Sequence, residues 1–284
     1  MPELPEVEVL ARHLRPLIRG KTIRAVNVRR AQVLLPTSPR KFRRTLLGAT
    51  FTGLSRRGKY LRFKLRTKAD GPPISLLGHL GMTGRIFLAQ KNRPWPKHAV
   101  VVFDLGGCNL VYQDTRYFGR LTLDTSAVTR LGPEPLDDEF GVETFAESLK
   151  RSRQAIKVRL LDQRLVAGIG NLYASEALFR ARLSPRLAAN KLTRAQVRRL
   201  RLAIRAVLAE AIKWGSTVPL NSGGNKSDGL FYFGRAPGAP DFYEERLRVY
   251  DREAQPCPRC RHPIKRITQA ARSTFYCPHC QRTG

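Results

Sequence analysis

Cys257-Pro258-Arg259-Cys260 and Cys277-Pro278-His279-Cys280 decide the fold at one end of the chain. In each pair two residues separate the cysteines, which puts both thiolates on one tight turn, and sixteen residues lie between the pairs. Two such turns facing one another complete a tetrahedral sulfur shell of the kind zinc takes. A shell of four thiolates has no open position for a substrate, so the metal is structural. Its binding free energy, roughly 10–16 kcal/mol in zinc-finger peptides, is what folds so short a segment. Two disulfides are the competing pairing, and a reducing compartment disfavours them. His262 and His279 stand nearby as spare donors, while Cys108 is the odd cysteine and reads as a buried strand residue. The segment is basic, with Arg259, Arg261, Lys265, Arg266 and Arg272. A basic β-hairpin on a zinc knuckle suits a DNA groove or backbone.

That basicity extends over the whole chain. Among 284 residues, 52 Lys and Arg stand against 22 Asp and Glu, a formal charge of +30. Such a surplus attracts polyanions, of which nucleic acid is the commonest. An anionic membrane is disfavoured, because no basic amphipathic helix carries aromatic anchors. A hydrophobic content of 42% supports a packed core rather than a disordered chain. The opening Met1-Pro2-Glu3-Leu4-Pro5-Glu6-Val7-Glu8 holds three acids and two prolines, unlike a signal peptide. Apolar runs are too short for a transmembrane helix. A cytoplasmic address is the expectation, with no membrane partner.

Periodicity divides the remainder. Val7, Leu10, Ala11, Leu14 and Leu17 recur at helix spacing across residues 3–18. Between about 22 and 125 the β-rich stretches 22–28, 60–65, 74–77, 100–105 and 110–112 alternate with Gly, Pro and polar clusters, which predicts a strand sandwich or barrel. Leu131-Gly132-Pro133-Glu134-Pro135-Leu136-Asp137-Asp138 reads as a linker. Helices are expected over 143–151, 154–162, 171–182 and 193–213, the last capped by Thr193. Residues 215–241, rich in Gly, Ser, Asn, Asp and Pro, read as a loop.

Pro2 brings chemistry of its own. A small second residue permits removal of Met1, which leaves a secondary amine at the N-terminus. An α-amino group titrates near about 7.7–8.0, so part of it is neutral at cellular pH. Attack on a sugar C1′ would give an iminium ion, an electron sink for covalent catalysis. Glu3 and Glu6 place two carboxylates close by in sequence.

Five motifs in order then carry a resemblance. Pro2-Glu3-Leu4-Pro5-Glu6-Val7-Glu8 is similar to the N-terminal signature of bacterial formamidopyrimidine-DNA glycosylases. Arg56-Arg57-Gly58-Lys59-Tyr60-Leu61 resembles that family's lysine strand, and His79-Leu80-Gly81-Met82-Thr83-Gly84 its intercalation loop. Asp162-Gln163, Ala167-Gly168-Ile169-Gly170-Asn171 and Tyr173-Ala174-Ser175-Glu176 resemble its helix–two-turn–helix. Ala271-Arg272-Ser273-Thr274-Phe275-Tyr276-Cys277 resembles its zinc finger. The resemblance spans essentially the full chain.

It implies an α+β multidomain fold: an N-terminal catalytic β-sandwich with a flanking helix (residues 1–131), a helix–two-turn–helix domain with a lesion-capping loop (132–246), and a four-cysteine zinc-finger hairpin (247–284). It implies a monomeric bacterial enzyme, nucleoid-associated, with one structural zinc, acting in base-excision repair on double-stranded DNA with oxidised bases or abasic sites. Oxidised purines would be excised and the abasic strand cut by β,δ-elimination. By motif, Pro2 would be the Schiff-base nucleophile, Glu3 the acid assisting sugar-ring opening, Lys59 the β-elimination residue and Arg272 the δ-elimination residue. Met82, Arg116 and Phe118 would fill the hole left by the flipped base. His79, His98, Arg153, Lys157, Gly170 and Asn171 would meet DNA, the last two at a helix start suited to phosphate, and Glu6 would line the lesion pocket. Two departures stand out: Thr217-Val218-Pro219-Leu220-Asn221 lacks the usual Arg and aromatic of the capping loop, and Tyr117 replaces a basic residue. The rivals are an endonuclease VIII-like glycosylase for oxidised pyrimidines, against which Leu4 speaks, and a non-catalytic zinc protein that binds damaged DNA.

Overall fold

The computed structural model describes residues 2–67, 71–215 and 247–282. They fall into two compact units, one of Pro2 and Glu6–Thr129, the other of Glu3–Pro5, Arg130–Gly215 and residues 247–282. The segment with Thr217, Pro219 and Asn221, and the loop expected over 215–241, lie outside the described residues apart from Gly215.

In the first unit two antiparallel four-stranded sheets share one core. One sheet is ordered β1 (Ala25–Val28), β6 (Ala99–Asp104), β7 (Cys108–Gln113), β5 (Arg85–Gln90). The other is ordered β2 (Thr50–Arg57), β3 (Tyr60–Arg66), β4 (Ile74–His79), β8 (Arg120–Thr122). Phe51, Phe63 and Leu76 from one sheet join Val101, Phe103 and Val111 from the other in that core, with Val7, Leu10, Leu14 and Ile18 of helix α1 (Leu4–Ile18). The expected sandwich and flanking helix are therefore present. Cys108 opens β7 half-buried at the core margin, not fully buried as expected.

Three strands and two helices, α2 (Pro39–Leu46) and the four-residue α3 (Ser126–Thr129), escape the periodicity. β2 shows little alternation, because Phe51 and Leu54 are its buried apolar residues and its register shifts at Phe51/Gly53. β5 begins directly after the Gly-flanked loop, and β8 is three residues long. Helix α2 buries just Phe42 and Leu46; Ser38 caps it, accepting from the Lys41 amide at 3.3 Å.

In the second unit α4 (Val142–Lys150), α6 (Asn171–Arg180) and α7 (Arg194–Gly215) follow the expected helices closely. Thr193 and Gln196 bond reciprocally at the start of α7, side chain to amide, at 2.8 and 3.3 Å. The helix expected over 154–162 shortens to α5 (Ile156–Arg159), and turns lead from it to α6. The Leu131–Asp138 stretch is docked rather than loose. The Gly132 amide donates to Gln163 O at 2.9 Å, and Pro133 O accepts from the Ala167 amide at 3.0 Å.

The basic hairpin is present as β9 (Lys265–Gln269) and β10 (Arg272–Tyr276). Ala270 and Ala271 turn it with φ of 48° and 57°, left-handed values that a Cβ disfavours. Phe179 of α6 packs with Val249, Ile264 and Phe275 beneath the cysteines. Glu176, 5% exposed on α6, accepts the amides of Arg248, Val249 and Tyr250 at 3.0, 2.9 and 2.8 Å. Glu176→Ala would strand those three donors. The expected loss is about 3 kcal/mol in chemical denaturation of this unit, and a change within error of zero would contradict the anchoring role.

Candidate active site and nucleic-acid interface

Met1 lies outside the described residues, and Pro2 is buried. Glu3, 3% exposed, sets its carboxylate at the start of α6. It accepts the Gly170 amide at 2.6 Å, the Leu172 amide at 2.9 Å and the Tyr173 amide at 3.4 Å. These are among the donors a helix start leaves without intrahelical partners, and the positive end of the helix dipole adds to the attraction. The Leu4 amide donates to Gly168 O at 3.0 Å. Gly168 holds φ at +86°, and a Cβ there would meet Leu4 side-chain atoms at 2.6 Å, so glycine is required twice over. Gln163 braces the same turn, accepting from the Gly168 amide at 2.9 Å and donating to Ile169 O at 2.8 Å. The sequence suggested Gly170 as a phosphate donor. Its amide instead serves Glu3, so the anion at this helix start belongs to the chain itself.

Beside that seat, Lys157 is 1% exposed and donates to Asn171 Oδ1 at 2.6 Å. Asn171 Nδ2 donates in turn to Ser273 O at 2.8 Å, tying α6 to β10. Arg272, exposed, is the residue before Ser273. Burial pushes the Lys157 pKa down to about 8; the Glu3 charge opposes this and the Arg272 charge adds to it. Arg153 is exposed shortly before α5.

In the first unit, Arg57 pairs with Tyr60 across a two-residue turn, Gly58-Lys59. Lys59 thus sits at a hairpin turn between β2 and β3 rather than within a strand, and its side chain is only 7% exposed. Arg56, from the same motif, donates to Glu8 Oε2 at 2.9 Å and to Gly58 O at 3.2 Å, which holds that turn against α1. Burial works against the Glu8 charge, but Arg12 and Arg56 keep its carboxyl below the usual range. Glu6 is buried at 7% exposure. His79 pairs with Tyr60 across β3 and β4, rings 4.8 Å apart. Burial, then Lys59 and Arg120, lower its pKa to about 4. Its Nδ1 accepts the Gly81 amide at 3.2 Å, so the neutral ring carries its proton on Nε2.

The wedge candidates come together here. Met82 is 46% exposed and Phe118 55%, unusual for large apolar side chains. The Arg116 guanidinium lies 4.7 Å from the Phe118 ring centroid. One residue not singled out from sequence organises them. Asp114, fully buried, accepts Thr83 Oγ1 at 2.6 Å, the Arg116 amide at 3.1 Å and the Gly119 amide at 2.8 Å. A Cβ on Gly81 would meet Gly119 N at 2.7 Å, so the two loops touch through backbone. The signal for Asp114 was its place before Thr-Arg in a polar turn after a strand. His98 ends the loop before β6 with φ of 66°, and its carbonyl accepts the Asp114 amide at 3.1 Å.

The four cysteine sulfurs lie within 4.8 Å of one another. Zn–S bonds of about 2.3 Å place tetrahedral sulfurs about 3.8 Å apart. Cys257 and Cys280 are 3.9 Å apart and Cys260 and Cys277 3.4 Å, which fits zinc and is far from a disulfide. The Arg259 amide points at Cys257 Sγ and the Cys280 amide at Cys277 Sγ, both at 3.4 Å, as donors that support thiolates. His262 and His279 stack at 4.4 Å beside Cys260, and the four sulfurs complete the shell without them.

Comparison with known proteins agrees along the whole chain. Residues 1–121 match the family model described as formamidopyrimidine-DNA glycosylase N-terminal domain, 131–221 its H2TH domain, and 254–283 a zinc finger found in FPG and IleRS. The formamidopyrimidine-DNA glycosylase of Thermus thermophilus is 42% identical over 100% of both chains. That of Symbiobacterium thermophilum is 41% identical over 99% of this chain and 89% of its own. The Lactococcus lactis enzyme, solved in complex with N7-benzyl-Fapy-dG DNA, superposes with a TM-score of 0.86 at 33% identity, covering 99% of this chain and 100% of its own. The same enzyme with abasic-site DNA gives 0.85.

Sandwich, helix–two-turn–helix and zinc-finger hairpin together define a zinc-containing DNA repair glycosylase. The chain belongs to the formamidopyrimidine-DNA glycosylase family. It is an enzyme that binds DNA and holds one structural zinc on Cys257, Cys260, Cys277 and Cys280. Among the described residues no helix is long and apolar enough to cross a membrane.

Cys277→Ser should lower the zinc content measured by atomic absorption and abolish DNA binding in gel shift, with the sandwich unit still folded. Full DNA binding without zinc would contradict this. Lys157 gives a pH signature. Between about pH 8 and the ordinary lysine value near 10.4 it is neutral when folded and charged when unfolded, so folding gains stability as pH rises through that window. Relative to Lys157→Met, the native chain should gain up to roughly 3 kcal/mol across it. A flat difference would mean that Lys157 keeps an ordinary pKa.

Proposed function

We propose that this chain is a bifunctional glycosylase and AP lyase for oxidised purines, 8-oxoguanine and formamidopyrimidines, working through a Schiff base on the Pro2 amine. The observation that carries the reading is the Glu3 carboxylate bound by three amides of α6, one peptide bond from a buried Pro2. In the first stage the neutral Pro2 nitrogen attacks C1′, the C1′–N bond to the base breaks, and the base leaves with a proton. Protonation of O4′ then opens the sugar, and the nitrogen lone pair forms the iminium. Glu3 is proposed to take and return these protons. Its fixed acceptor geometry favours that relay over free rotation.

The iminium acidifies the C2′ proton. Its loss expels the 3′ phosphate, and a second elimination expels the 5′ phosphate, leaving a one-nucleotide gap with phosphates on both sides. Lys59 is proposed to serve the first elimination and Arg272 the second, each also neutralising phosphate. Met82, Arg116 and Phe118 are proposed to stand in the stack while the base is out; a thioether, a guanidinium on a ring and the ring itself replace lost stacking. Lys157 and Asn171 are proposed to hold phosphate beside the Glu3 seat, with His79, His98 and Arg153 as further DNA contacts. Gly170 takes part through its bond to Glu3, and Glu6 lines the base pocket.

Borohydride trapping on an 8-oxoguanine duplex tests the covalent step. A protein–DNA adduct should form, and Pro2→Gly or an N-terminal extension should lower its rate by about 100-fold or more. A chain that nicks lesion DNA without ever trapping would overturn the Schiff-base reading. The Lactococcus lactis enzyme has also been solved with oxidised-pyrimidine DNA. Rates on 8-oxoguanine and thymine-glycol duplexes therefore belong in the same experiment, with the purine expected to be faster.

A further inference from the structure

Outside the motif residues, the sandwich carries a second basic and aromatic surface. Arg29, Arg93, Pro94 and Trp95 line a shallow, widely open hollow of about 490 Å³. Trp95 is 40% exposed although indole is among the costliest side chains to leave in water. It stands in Arg93-Pro94-Trp95-Pro96-Lys97, where a proline on each side stiffens the backbone. The loop is pinned at its far end: the Ala99 amide donates to Pro96 O at 3.0 Å, and Gln113 Nε2 to Lys97 O at 2.7 Å. An aromatic face is thus held out beside two arginines with little conformational entropy left to lose.

The surroundings extend the positive surface. Arg29 is exposed at the end of β1, and its amide donates to Val100 O at 2.9 Å, which fixes its base. Arg30, the next residue, places its guanidinium 5.4 Å from the Tyr117 ring centroid. Tyr117 lies between Arg116 and Phe118, so Arg30, next to Arg29 in the chain, touches the loop that carries the wedge candidates. Arg43 of α2 reaches the carbonyl of Val28, the residue before Arg29, at 3.5 Å, and Arg40, Lys41 and Arg44 of the same helix are exposed.

We infer that the Arg29–Arg93–Trp95 hollow is a subsite for one nucleotide of an unpaired DNA strand. Its base stacks on the Trp95 indole and its phosphate is held by the Arg29 and Arg93 guanidiniums. The chemistry selects this ligand. Two guanidiniums suit a phosphate, and a rigid exposed ring suits any base face, the combination by which proteins hold single strands without reading sequence. In a duplex both faces of a base are covered by its neighbours, so a frayed end, an overhang or a gapped strand is what the indole can engage. The inference does not rest on the Schiff-base reading, because none of these residues is assigned a role in it.

Trp95 supplies the test directly. The chain has two tryptophans, so Trp214→Phe leaves Trp95 as the sole indole reporter. Titration of that protein with oligo(dT) at low salt should quench Trp95 fluorescence. Trp95→Ala and the Arg29→Ala/Arg93→Ala pair should each raise the oligo(dT) Kd by about tenfold, within the range measured for base–aromatic stacking. On a lesion duplex with a single-stranded overhang the same variants should lose affinity, while borohydride trapping on the blunt duplex stays at the parent rate and shows that they fold. Absence of quenching, or Kd values within twofold of the parent for both variants, would overturn the subsite. Loss of trapping on the blunt duplex would overturn it as well, by moving these residues into the main site.

Discussion

The carboxylate of Glu3 at the start of α6 is the contact on which the rest of the proposed active site depends. A helix presents several backbone donors at its N-terminus with no partners inside the helix. Here three of them close on one side chain, 167 to 170 residues away in sequence. The Leu4–Gly168 bond adds a second tie one residue on. Pro2 is joined to Glu3 by a single peptide bond, so its nitrogen cannot stray more than a few ångströms from where Glu3 is seated. An N-terminus is ordinarily the most mobile part of a chain. A nucleophile proposed at that position would have to be held, and the Glu3 seat supplies the hold.

The same device recurs twice. Asp114 gathers the Thr83 hydroxyl and the amides of Arg116 and Gly119, which fixes both loops bearing Met82, Arg116 and Phe118. Glu176 gathers three amides at 248–250 and fixes the chain that enters the zinc finger. A protein with 22 acids and a net charge of +30 thus spends several of its carboxylates inside, on its own backbone. Most of the cations are left on the surface, where a polyanion can reach them, with Lys59 and Lys157 as buried exceptions. Each of these acids has several donors set against its desolvation, which is the condition for burying a charge at all, although at Glu176 burial still outweighs them and pushes the carboxyl pKa up. Zinc completes the plan in the hairpin, where the buried apolar residues around Phe179 are too few to fold the segment unaided.

Much of this was legible in the chain. Cysteine spacing identified the metal site, and the 3.6-residue period located α1, α4, α6 and α7. Alternation located the strands with apolar residues on one or both faces. It failed for β2, where a bulge interrupts the pattern, and for β8, which is too short to show one. It overextended α5, because Leu160 and Leu161 continue the apolar spacing while Asp162 bonds the Arg164 amide at 2.9 Å and turns the chain. The site residues were legible as types, but their partners were not. That Gly170 serves Glu3, that Lys157 reaches Asn171 and that Asp114 joins two loops are long-range facts, and no local pattern encodes them. Lys59 was linked to a strand only by the motif's resemblance, whereas Gly58, with φ of +54°, starts a turn that Lys59 completes.

Amide hydrogen exchange in Glu3→Ala tests the seat most directly. The amides of Gly170, Leu172 and Tyr173 should be protected in the native chain. They should exchange much faster in the variant, while amides in the middle of α6, such as that of Leu178, keep their protection. Unchanged exchange at the three amides would mean that Glu3 does not hold this helix start, and the account of a fixed N-terminal amine would fail with it.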